Sequence, residues 1–121
     1  MDLLSAVAIS LLPVSRLRAA STLQELRQAG HAVTLEFLLD ALKVPPGEWA
    51  AMAAEAVRAA TDALAAADKA GFQALSLGDD RYPPLLACIP DPPPVLWIQG
   101  DAGVLPRPAV AIVGSRAATP C

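Results

Sequence analysis

The sequence predicts an α/β protein in which a helical part, residues 1–71, precedes a run of short strands over 72–121. Three observations predict it. Apolar residues recur at helical spacing as far as Gly71. Beyond that point short apolar runs alternate with glycine and proline, and the segment AVAIVG, Ala109 to Gly114, is apolar throughout. Such uninterrupted apolar character fits a central strand of a parallel sheet covered on both faces.

The opening MDLLSAVAISLLPV reads as a short helix over Leu3–Leu12 that Pro13 ends or kinks. It is apolar enough to resemble a signal peptide, but it carries Asp2 and no basic residue, and it breaks at Pro13. No segment reaches the roughly 18–20 apolar residues of a membrane span. The expectation is a buried first helix in a cytoplasmic protein.

Ser21 or Thr22 can cap a second helix, with Leu23 and Leu26 on one face and Gly30 at its end. Thr34 can cap a third, in which Leu35, Leu38, Leu39 and Leu42 keep the i, i+3, i+4, i+7 spacing. A fourth and longest helix is predicted from Pro46 to Ala70, with proline in its first turn and Gly71 stopping it. Trp49, Met52, Ala56, Ala60 and Leu64 fall on one side of it. His31, after Gly30, reads as a solvated loop residue.

After Gly71, FQALSL is a predicted strand turned by GDDRYP, and Pro83 and Pro84 open a one-turn helix through Ala87. Pro90 to Pro94, PDPPP, form a stiff connector, because each proline fixes φ and removes a donor. VLWIQG is a second strand closed by Gly100, with Trp97 expected in the core. LPRP, Leu105 to Pro108, is another rigid connector and leads into AVAIVG as the third strand.

With 121 residues, 55% of them hydrophobic, the chain can build one small domain or one domain and part of another. Only 4% of residues are aromatic, so the core rests on Leu, Val, Ile and Ala. A net charge of −3 argues against a broad basic face for nucleic acid and leaves only local contacts through a few arginines and oriented N–H groups. Arg16, Arg18 and Arg27 make at most a small basic patch, read here as a solvated face. Two cysteines without CxxC spacing and one histidine give neither a usual zinc site nor a disulfide framework. Cys88 is expected to be small and buried, and Cys121 a loose end. No cofactor is implied.

The segment VGSR has chemistry worth weighing. Gly114 lets the backbone turn and approach a ligand, the Ser115 hydroxyl and following N–H groups can donate to phosphate oxygens, and Arg116 offers a bidentate fork. Ligands of open α/β sheets gather at such strand ends. The segment lacks the spacing of a dinucleotide motif or a P-loop, however, and on these residues alone an ordinary strand-to-helix turn is the stronger reading. PDPPP also has a reading as a ligand for an SH3-type domain, but without a flanking arginine or lysine the connector reading prevails.

Taken together, YPPLLACIPDPPPVLWIQG, a short proline-flanked spacer and AVAIVGSRAATP closely resemble the DprA/Smf family of DNA-processing proteins of natural transformation. Tyr82, Pro83, Leu86, Asp91, Pro92, Pro93, Leu96, Gly100, Val113, Gly114, Ser115, Arg116 and Thr119 fall on its pattern, within Asp79 to Pro120. The helical part is similar to that family's sterile-alpha-motif-like module in layout only. The resemblance implies a cytoplasmic, non-enzymatic protein with an extended Rossmann-like domain beginning at residue 72. It would bind incoming single-stranded DNA, form homodimers through that domain and load RecA. It also implies that Gly114, Ser115 and Arg116, with Thr119 as a weaker candidate, belong to a DNA-phosphate pocket.

Family members normally continue after the T-P pair with an aromatic residue and a glycine, whereas Cys121 follows Pro120 here. The chain is therefore expected to be the N-terminal portion of such a protein, with an incomplete Rossmann-like domain and incomplete function. Residues 1–70 are expected to fold, and 105–121 to be poorly ordered or prone to aggregate. Two other classes remain open: part of a phosphoribohydrolase-like enzyme, which would need an acidic motif not found here, and a stand-alone helical interaction module.

Overall fold

The structure is a computed structural model and describes residues 1–31, 33–117 and 119–120. Four helices come first: α1 Leu3–Ser10, α2 Arg16–Gln28, α3 Leu35–Ala41 and α4 Pro46–Lys69. Strand β1 Gln73–Ser76, the one-turn helix α5 Pro84–Ala87, strand β2 Val95–Ile98 and a short 3₁₀ turn Ala102–Val104 follow. The mixed composition is that of an α/β chain.

Each helix end has a local cause. Asp2 caps α1 by accepting from the Ser5 N–H at 2.9 Å. These hydrogen bonds hold its carboxyl below the ordinary aspartate range. Thr34 caps α3 by accepting from the Phe37 N–H at 3.2 Å, as the sequence predicts. Pro46 sits in the first turn of α4, where its missing N–H costs nothing. At the far end Gly71 takes φ +79°, and the Phe72 N–H returns to the Ala67 carbonyl at 2.8 Å.

Helix α2 departs from expectation. It begins five residues before Ser21, after Ser15, and the Ser21 hydroxyl instead donates back to the Arg18 carbonyl at 3.0 Å. A serine facing solvent within a helix can satisfy itself this way, so its cap propensity is not used. Pro13 lies in the break that separates α1 from α2.

The core is helical and aliphatic. Val7, Leu23, Leu38 and Leu39 are fully buried, and Ala56 and Ala60 present the buried stripe of α4. Small residues there let α1 approach α4 closely, and α1 touches α4 more extensively than any other helix. Val95 of β2 belongs to the same core, with Ala74 of β1 packed against it. The sheet therefore lies on the helices rather than apart from them, and the Ser76 hydroxyl reaches the Met1 carbonyl at 3.4 Å.

The sheet has two antiparallel strands, with Gln73 opposite Ile98 and Ser76 opposite Val95. No strand forms over Ala109–Gly114. Val110, Ile112 and Val113 are 88%, 94% and 92% exposed, because no strand among the described residues lies beside them to take up their backbone groups. The expected parallel sheet is thus absent from the described residues. Two smaller expectations are also corrected. Trp97 is 41% exposed near the end of β2, and Cys88 is exposed at the position that caps α5, just past its last turn. The reading of Cys121 lies outside the described residues. No helix is long and apolar enough to cross a membrane.

Candidate functional site

The segment after β1 is built from short-range polar contacts. Asp79 accepts from the Arg81 N–H at 2.9 Å, and its carboxylate takes the Arg81 guanidinium in a two-pronged pair at 3.1 and 2.9 Å. That pairing lowers the Asp79 pKa and raises that of Arg81. The tight turn delivers Tyr82 inward, where it is 5% exposed.

Tyr82 then fastens the proline run. Its hydroxyl donates to the Pro93 carbonyl at 2.8 Å, and the Leu77 N–H donates to the next carbonyl, Pro94, at the same distance. Pro92 to Pro94 offer no donors, so this stretch can only accept, and two successive acceptors are satisfied from across the hairpin. Burial pushes the Tyr82 pKa up, with the charge of Arg27 acting in the opposite sense. This registers the YPP turn against the DPPP run.

Pinned in this way, the run borders two cavities along α2. One, about 340 Å³, is bounded by Arg16, Ala20, Asp91, Pro92 and Trp97 together with the end of α1. The other, about 320 Å³, is bounded by Ala20, Gln24, Arg27, Leu77 and Pro92. Ala20 and Pro92 are shared, so the two hollows adjoin. The sequence predicts Arg16 and Arg27 as part of a solvated face. Only the packing of residues 91–95 on α2 shows that both border hollows, because periodicity does not report which distant segment covers a helix.

The sequence-predicted phosphate residues lie elsewhere. Gly114, Ser115, Arg116 and Thr119 are all exposed. A Cβ at Gly114 would meet nothing within 4 Å, so the backbone there is open to approach. The Ser115 hydroxyl accepts from the Ala117 N–H at 3.2 Å, which forms a small serine turn and places Arg116 at its tip. The turn brings Ser115 and Arg116 together, with no side chain from another element hydrogen-bonded to either among the described residues. Among the described residues, no group of acidic, histidine or cysteine side chains could hold a metal ion.

No curated protein and no solved structure matches the chain. Residues 73–121 match the family model described as DNA recombination-mediator protein A. The match takes in β1, the Tyr82–Pro93 bond, the proline run, β2 and the Gly114–Arg116 turn. Over residues 73–121, the chain is similar to the DNA recombination-mediator protein A family.

Proposed function

We propose that this chain serves DNA recombination as a cytoplasmic DprA-like protein that binds incoming single-stranded DNA and helps load RecA during natural transformation. The family match over residues 73–121 is the observation that carries this reading. In it, residues 1–71 are a sterile-alpha-motif-like helical module and residues from 72 onward begin an extended Rossmann-like domain through which homodimers form. The protein acts by binding rather than by catalysis.

The contact chemistry assigned to the Gly114–Arg116 turn follows from its exposure. An open glycine backbone, a hydroxyl and a solvent-facing guanidinium suit a phosphate, and Thr119 adds a second hydroxyl nearby in sequence. With a net charge of −3, the chain has little general attraction for DNA, so each arginine contact carries weight.

Anisotropy of a labelled single strand, titrated over a range of salt, tests this. Arg116→Ala should weaken binding and reduce the salt slope by about 0.7, the increment for one phosphate contact on a single strand. An unchanged affinity and slope would remove Arg116 from the interface. Preference for a duplex over the single strand would overturn the reading as a whole.

A further inference from the structure

Helix α2 is basic within an acidic chain: Arg16, Arg18 and Arg27 stand against a single acid, Glu25. Arg18 is occupied, donating to the Leu42 carbonyl at 3.0 Å. Arg16 and Arg27 form no ion pair among the described residues. They border the two adjoining hollows between α2 and the proline run. Eleven helical residues separate them, about 16 Å along the axis. Two adjoining hollows with one cation on each suit an extended polyanion better than a compact ligand.

The remaining groups narrow the class. Trp97 borders the first hollow and is partly exposed, so its indole is available for stacking. Aromatic side chains hold the bases of single strands in a sequence-tolerant way. Asp91 borders the same hollow, and a carboxylate among cations repels phosphate but accepts from a base amino group. The Pro92 wall is held by the Tyr82–Pro93 bond, so the groove is formed before any ligand arrives.

We propose that the groove between α2 and residues 91–95 binds a short stretch of single-stranded DNA, separate from the Gly114–Arg116 turn. Arg16 and Arg27 take phosphates, Trp97 stacks a base, and Asp91 accepts from a cytosine amino group. The inference rests on the single-stranded DNA reading above and gives it a second contact surface, on the helical part of the chain.

The test uses the full chain with twelve-nucleotide oligo-dC and oligo-dT in anisotropy titrations. Oligo-dC should bind more tightly, and Asp91→Asn should shrink the difference. Trp97→Leu should cost about tenfold in affinity, with Trp97→Phe retaining most of it, a contrast that loss of packing alone would not give. Arg16→Gln and Arg27→Gln should each lower the salt slope by about 0.7. If these variants bind as the parent chain does while Arg116→Ala is weakened, the groove proposal falls and the single-stranded reading stands. If an oligo-glutamate peptide competes as well as oligo-dC, the groove takes acidic protein segments and the proposal falls. If the parent chain binds neither oligonucleotide, the single-stranded reading fails, and dCMP decides the groove on its own. A shift of the Trp97 indole N–H resonance that Arg16→Gln abolishes would support a nucleotide site, and an unmoved resonance would overturn it.

Discussion

The Tyr82 hydroxyl lies 2.8 Å from the Pro93 carbonyl and donates to it, joining two parts of the family segment that are eleven residues apart. The bond is partly buried, and the proline run has few other ways to be held, since it cannot donate. Tyr82→Phe keeps the ring and leaves the carbonyl without its partner. The expected loss is about 1–2 kcal/mol, measured by urea unfolding. A cost near zero would show that water satisfies the Pro93 carbonyl as well as tyrosine does.

The same residue sets an alkaline limit. Burial raises the Tyr82 pKa, so the folded chain holds the phenolic proton more tightly than the unfolded chain does. The stability it contributes is complete below about pH 10, the ordinary tyrosine value, and is lost as the pH rises through the folded value. Unfolding titrations between pH 8 and pH 11 should show a decline that is smaller in Tyr82→Phe. Identical alkaline profiles would mean that Tyr82 ionises equally in both states.

Lys43 ends α3 at φ +58°, a left-handed conformation that costs a side-chain-bearing residue about 1 kcal/mol relative to glycine. The geometry is that of a helix stop: the Val44 N–H returns to the Leu39 carbonyl at 3.1 Å. Lys43→Gly should therefore stabilise the chain by up to about 1 kcal/mol, whereas Lys43→Val should destabilise it. Thermal unfolding of the pair decides, and equal midpoints would contradict the backbone assignment.

Ile112 is 94% exposed between two other exposed valine-rich positions, so it adds nothing to the folded core. Exposed β-prone segments pair with other chains. Ile112→Lys should leave unfolding stability within about 0.5 kcal/mol and reduce concentration-dependent association in sedimentation velocity. A large drop in stability would place Ile112 in a packed environment.

Much of the helical part was legible because its signals are local. Thr34 precedes the leucine stripe of α3, Pro46 opens α4 and Gly71 closes it, and each acts within a turn of its own position. The start of α2 differs from the expected cap at Ser21 or Thr22 because the helix begins after Ser15 with no side-chain cap, a start that leaves no local signal. The family segment was legible because proline, glycine and tyrosine restrict the backbone at fixed spacing, as the match over residues 73–121 reflects.

The sequence by itself determined the order of the helices and of the first two strands, the stop of α4 at Gly71 and the likeness of residues 73–121 to the family model, since these depend on neighbouring residues. Only the tertiary structure decided that β1 and β2 share the helical core, that Tyr82 holds the Pro93 carbonyl, and that Arg16 and Arg27 border adjoining hollows. The same holds for Ala109–Gly114, whose apolar pattern is suited to a covered strand but which lies exposed. A strand is completed by the hydrogen-bonding partner beside it, and a groove by the segment that covers it. Neither partner is encoded in the periodicity of the segment itself.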